Sequence, residues 1–197
     1  MTLKEQKIKT FSLIEEYYPE LKGFAEDEDV LNKINGVVNQ IQMDLMTHRK
    51  INAFKTITAG ETDSKVIDLK KELEDCYQIR SIEFDKDIKY TMPNEDILKL
   101  PEDFIGSFNV YYYKYPKLVK TIFESEEEKE KEDEEFIFEL EPVLLEIMPY
   151  GIASDLLKMD MISNYGKYFY ERYLEMKNKI DPRKTSGTIR ITGGANV

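Results

Sequence analysis

A single histidine, His48, and a single cysteine, Cys76, limit the chemistry open to this chain. One cysteine allows no disulfide within the chain and no cysteine-based zinc site. One histidine excludes two-histidine metal motifs and leaves a Ser-His-Asp arrangement only one candidate base. His48 is followed by Arg49 and Lys50 at the end of a helical pattern. Positive charge there opposes the helix dipole, which is a sufficient reason for its presence. Ser154 and Ser163 lack the glycine-flanked turn of a nucleophile elbow. No GxxxxGK[ST] loop and no GxGxxG after a strand is present. The 39 acidic residues make accidental carboxylate pairs inevitable. A Mg²⁺ nuclease needs two or three carboxylates converging on one pocket, and no Asp/Glu spacing stands out from the general excess. We therefore assign no catalytic residue, no cofactor and no metal ligand, and do not expect an enzyme. Tyr111-Tyr112-Tyr113-Lys114-Tyr115-Pro116 is the strongest aromatic cluster. In a strand, alternate Tyr side chains face opposite sides, so one face meets the core and the other a partner, where Tyr is favoured. Base stacking is the competing use of such rings.

The elements that position these residues follow from composition and period. The 197 residues suit one domain, or one domain with an insertion. The net charge of −11 argues against a protein that grips phosphate backbones, because that binding runs on clustered Lys and Arg. MTLKEQKIKT holds no apolar run, and no stretch approaches the length of a membrane span, so a signal peptide and a transmembrane helix are not expected. A soluble protein of a reducing compartment is expected.

Ile8, Phe11 and Ile14 fall at three-residue steps and predict a helix over about 4–18, ended by Pro19. Leu31, Ile34, Val38, Ile41 and Leu45 give the clearest helical stripe, over about 29–49, with Asn32, Asn39, Gln40 and Asp44 opposite. Acids between Glu26 and Asp29 suit its N-terminus. The period then changes. Residues 53–58, 64–69, 77–84 and 108–115 are rich in β-branched and aromatic types and predict strands. Pro142 opens a third helix with Leu144, Met148, Ile152, Leu156 and Met159 on one stripe. Pro149 predicts a kink, or a helix start nearer Tyr150. A fourth helix follows Ser163, with Tyr165, Phe169, Tyr173, Met176 and Ile180 inward, and Asp181-Pro182 stops it.

The predicted fold is α+β: mainly a helical bundle of about four helices, with an inserted antiparallel β region and an extended C-terminal tail. Residues 1–52 and 141–181 supply the bundle, 53–140 the insert, and 182–197 the tail. Within the insert, 124–135 carries nine acidic and two basic residues and reads as a solvated acidic loop. Its acids Glu126, Glu127, Glu128, Glu130, Glu132, Asp133, Glu134 and Glu135 are candidates to face a channel or solvent. In the tail, Thr188, Ile189, Arg190, Ile191 and Thr192 alternate, and Arg183 and Lys184 add positive charge. That pattern suits strand addition to an acidic partner surface.

Four stretches, spanning about 30–180, resemble the head–tail connector (adaptor, or head-completion) proteins of tailed bacteriophages. They are the helix DEDVLNKINGVVNQIQMDLMTHRKI; Leu98-Lys99-Leu100-Pro101-Glu102-Asp103-Phe104; FNVYYYKYP followed by acids; and the pair Met148-Pro149-Tyr150-Gly151-Ile152-Ala153 and Tyr165-Gly166-Lys167-Tyr168-Phe169 through Tyr173. The last pair is the most specific. The acidic insertion and the large β region depart from the smallest connectors.

The resemblance implies a virion protein of the head–tail junction, made in the bacterial cytoplasm. It implies a homo-oligomeric ring, usually twelvefold, beneath the portal protein, which retains the genome and extends the DNA channel for ejection. The portal, the next tail or collar protein and neighbouring copies are the implied partners. DNA would pass without specific binding, because an acidic lumen repels phosphates, and no membrane is involved. Tyr111, Tyr113, Tyr115, Tyr165 and Tyr168 are the candidate interface aromatics. Packing like charges together around a ring is costly, so the acidic segment is expected away from subunit interfaces. The rival readings are a non-phage intracellular interaction module and a carboxylate-metal nuclease.

Overall fold

The computed structural model describes residues 1–158 and 163–180. The fold is mixed α and β. Along the chain run α1 (Leu3–Tyr17), α2 (Glu28–His48), β1 (Ile51–Ala59), β2 (Val66–Asp68), α3 (Leu69–Glu72), β3 (Cys76–Phe84), β4 (Ile97–Lys99), β5 (Gly106–Lys114), α4 (Glu126–Glu135), α5 (Pro142–Lys158) and α6 (Ser163–Lys179). The chain forms two compact units. One joins Met1–Arg49 to the described residues from Pro116 onward, and the other holds Lys50–Tyr115. Lys117, Val119 and Lys120, which follow the second unit in sequence, are bound to α2.

In the helical unit, α1 starts at a reciprocal cap. Thr2 Oγ1 accepts from the Glu5 N–H at 3.2 Å, and the Thr2 N–H donates to Glu5 Oε2 at 2.8 Å. Asp27 opens α2 by accepting from the N–H groups of Asp29 and Val30. Ile34, Val38, Ile41 and Leu45 of the expected stripe are buried, and Leu31 is half-buried. The buried side of α2 also carries amides. Asn39 Nδ2 donates to the Val119 carbonyl and Asn39 Oδ1 accepts from the Val119 N–H, both at 2.8 Å. Asn35 donates to the Lys120 carbonyl at 2.8 Å and Gln42 to the Lys117 carbonyl at 3.1 Å. These amides, spaced four and three residues apart, lie along one face of a helix. They satisfy the backbone of a segment that has no strand partner among the described residues.

The segment 124–135 is not the loop its charge predicts; ten of its residues form α4. Three effects outweigh self-repulsion. Ser125 caps the helix by accepting from the Glu128 N–H at 3.2 Å. Glu126, Glu127 and Glu128 lie in the first turn, where negative charge suits the dipole. Lysines from outside then neutralise one side: Lys7 pairs with Asp133 at 2.7 Å, Lys4 with Glu134 at 2.9 Å, and Lys120 with Glu128.

α5 runs unbroken through Pro149. Proline has no N–H to return to residue 145. Gln6 of α1 supplies that donor from Nε2, at 3.2 Å from the Leu145 carbonyl. Gly166 lets α6 approach α5: a Cβ there would lie 3.0 Å from the Ser154 carbonyl oxygen. Ile14, Ala153, Leu157 and Phe169 form one core cluster of this unit.

The described residues hold more helices than the four expected. α4 is one addition, and α3, a single turn capped by Asp68, is another. Two 3-10 turns, Pro19–Leu21 and Phe24–Glu26, link α1 to α2. The expected strand over 64–69 is shortened to β2, because Asp68 caps α3 through the Lys71 N–H at 3.3 Å.

In the β unit the antiparallel order is β1-β5-β3, and β2 pairs with β4 in a second small sheet. Leu69, Leu98, Phe108, Val110 and Tyr112 are among its buried core residues. Leu98, Leu100 and Phe104 of the Leu-x-Leu-Pro-x-Asp-Phe stretch all enter that core, so it is a packing element here.

Candidate interaction surface

β5 is the central strand, and its alternation separates its tyrosines. Tyr112 points into the core, 6% exposed, and donates from its hydroxyl to Asp75 Oδ1 at 2.9 Å. Burial, then the bond to Asp75, pushes that phenol up to about 12. Tyr111 and Tyr113 take the opposite face. Register sets their neighbours: Tyr111 lies between Phe54 of β1 and Ser81 of β3, and Tyr113 between Asn52 and Gln78. Breaks in the β3 pairing at Cys76/Gln78 and Ile79/Ser81 re-aim that strand's side chains.

Around Tyr111 and Tyr113 this outer face is aromatic and cationic, and further along Glu83, opposite Asn109, adds an exposed acid. Phe54 is 65% exposed, and its ring centroid lies 5.9 Å from that of Tyr111. Lys50 Nζ sits 4.8 Å from the Tyr113 ring centroid and Arg80 Cζ sits 5.1 Å from it, distances at which cation and ring attract. Lys50 also donates to Gln78 Oε1 and Arg80 to Asn52 Oδ1, each at 2.7 Å. Among the described residues neither cation meets a carboxylate. Further along, Thr56 donates to Asn109 Oδ1 at 2.7 Å, and Thr58 and Ser107 share a hydrogen bond. Tyr115 is 41% exposed and stands edge-on to Tyr77.

The other candidate aromatics have neighbours in the helical unit. Tyr165 donates to Glu20 Oε1 at 2.8 Å and its ring lies 4.1 Å from that of Tyr18. Tyr168 packs on Tyr17 at 4.9 Å and is 37% exposed. The structure thus brings Tyr111 and Tyr113 together, and sets Tyr165 and Tyr168 against the end of α1. Arg183, Lys184, Thr188, Ile189, Arg190, Ile191 and Thr192 lie outside the described residues.

The acids of α4 divide by face. Glu128, Glu132 and Asp133 are half-buried towards the lysines and backbone that hold the helix. Glu126, Glu127, Glu130, Glu134 and Glu135 are exposed. Beside the start of α4, Asn32, Asn35, Thr121, Phe123 and Lys129 help line a polar cleft of about 390 Å³.

His48 Nε2 lies 2.6 Å from the Ile180 carbonyl oxygen, tying the ends of α2 and α6 together. Nearby, Asp44 accepts from Lys177 at 2.6 Å and from the Tyr173 hydroxyl. Burial works against its ionisation, but these two donors hold its carboxyl below the usual range. Among the described residues no three His, Cys, Asp or Glu side chains come together to hold a metal ion. No described helix is long and apolar enough to cross a membrane.

Phe54, Lys50 and Arg80 were not legible as members of this face. Their proximity to Tyr111 and Tyr113 depends on pairing between distant strands, while the alternation within INAFKTITA was the only local signal. Neither a protein-family model nor a curated protein matches the chain.

Proposed function

We propose that this protein is a structural interaction protein: a head–tail connector subunit that forms a ring beneath the portal of a tailed bacteriophage. The observation that carries an interaction role is the open face of the sheet, where Phe54, Tyr111 and Tyr113 are grouped with Lys50 and Arg80. Exposed aromatics with an adjacent Arg are the composition of a protein interface. The connector identity rests on the resemblance of the four stretches described above.

In this reading the helices make the bundle of the subunit, the β unit is its insert, and 182–197 is the docking tail. Arg183, Lys184 and the alternating Thr188 to Thr192 reach the portal or a neighbouring copy as an added strand. A net charge of −11 per copy, repeated around a ring, repels duplex phosphates and lets DNA slide through during packaging and ejection. The tail side of the ring receives the next tail or collar protein.

Size-exclusion chromatography with the phage's portal protein tests this. The full chain co-elutes with the portal, and a version ending at Ile180 folds but co-elutes weakly. Mg²⁺ leaves its melting temperature unchanged; a rise would favour the nuclease reading by ligand linkage. A monomer or dimer indifferent to portal would favour an interaction module unrelated to phage.

A further inference from the structure

We infer that the open sheet face docks the outer face of α4 from a second copy of this chain. The inference deepens the ring reading and rests on it. Two cations, Lys50 and Arg80, stand against one tyrosine ring, and neither has a carboxylate partner among the described residues. Hydrogen bonds to Gln78 and Asn52 hold both cations in place, so little side-chain freedom is lost when an anion arrives.

The same chain carries the matching anion. On α4, Glu127 and Glu130 are exposed and form no salt bridge among the described residues. They are three residues apart, which sets their Cβ atoms about 5–6 Å apart on one side of the helix. Lys50 Nζ and Arg80 Cζ lie within about 10 Å of each other, since each is close to 5 Å from the centre of the same ring. A carboxylate pair one turn apart is therefore within reach of both cations.

α4 is bracketed in sequence by two exposed isoleucines, Ile122 at 80% and Ile137 at 65%, and the sheet face exposes Phe54. Like charge opposes the packing of one α4 against another, but here cations lie opposite, so that repulsion does not apply. Because different patches meet, the contact is heterologous, and a heterologous contact closes into a ring or runs on as a filament.

Sedimentation velocity on the full chain tests it, at 10 μM to 1 mM protein in low and high salt. Self-association that rises with concentration and weakens in high salt is expected. Lys50→Glu with Arg80→Glu, and separately Glu127→Lys with Glu130→Lys, should each weaken association at least tenfold. The protein carrying all four changes should recover it, since the charges are then exchanged rather than lost. A wild type that stays monomeric at 1 mM in low salt, single-side variants that associate normally, or a four-fold variant that stays weak would each overturn the contact. Binding of a fluorescent oligo(dT) by the wild type, lost in the Lys50/Arg80 variant, would also overturn it, by assigning the face to nucleic acid. Portal-bound rings that form equally well with the Lys50/Arg80 variant would refute this contact and leave the connector reading standing. Failure of the wild type to bind portal would refute that reading instead.

Discussion

Gln6 of α1 donates to the carbonyl of Leu145, the one α5 carbonyl that Pro149 deprives of its helical partner. The bond crosses 139 positions of sequence and is buried. Removing the donor leaves a carbonyl unsatisfied in the core, which costs about 1–3 kcal/mol. Gln6→Met should therefore destabilise the protein by that amount in denaturant titration. Pro149→Ala restores an N–H at residue 149, so the same Gln6→Met change should cost less than half as much in that background. Additive effects would show that the two residues are not linked.

The Lys7–Asp133 pair fixes α4 to α1, with side chains 8% and 21% exposed. Removing one partner of such a pair leaves a buried charge, and the cost depends on which charge remains. Lys7 is the deeper, and burial already lowers its ammonium below the ordinary lysine range despite Asp133. Asp133→Asn should thus cost more than Lys7→Met, about 3 kcal/mol against about 1–2. Thermal melts with helix content followed at α4 would check the order; the reverse order would contradict it.

Gly166 is required by contact and not by backbone angle. A Cβ at this position meets the Ser154 carbonyl oxygen at 3.0 Å and the Lys158 backbone nitrogen at 3.3 Å. Backbone atoms cannot turn aside as a side-chain tip can. The intrinsic helix preference for Ala, about 1 kcal/mol, is outweighed. Gly166→Ala should destabilise by about 1–3 kcal/mol net. An unchanged or raised melting temperature would show that α5 and α6 have room to part.

Tyr112 makes the β unit sensitive to alkali. Its folded pKa of about 12 exceeds the ordinary tyrosine value of 10.0, so folding favours the neutral phenol. The stability this contributes is fully present below pH 10 and is lost as pH rises from 10 through 12. Tyr112→Phe removes the titrating group and should flatten the fall in stability over that window. It also frees Asp75 from its hydrogen bond, so a small loss at neutral pH accompanies the change. An alkaline unfolding curve identical to that of the wild type would exclude Tyr112 as the cause.

What the sequence revealed depended on whether the signal was local. The apolar stripe of α2 and the alternation of β5 are periods within one element, and both describe buried faces here. The buried amides Asn35 and Gln42 escaped notice because polar residues are ordinarily read as solvent-facing, and only the return of Lys117–Lys120 across α2 gives them partners. The segment 124–135 misled for a related reason. Its composition predicts repulsion, while Lys4 and Lys7, which relieve it, lie more than 120 positions away in sequence. On the sheet face, Tyr111 and Tyr113 were legible, but Lys50, Phe54 and Arg80 join them only through the register of β1-β5-β3.

Negative-stain microscopy of the full chain mixed with the portal protein that the connector account assigns as its partner tests the central claim most directly. The connector account predicts rings of this protein capping one end of the portal. Bare portals beside free monomers would contradict it.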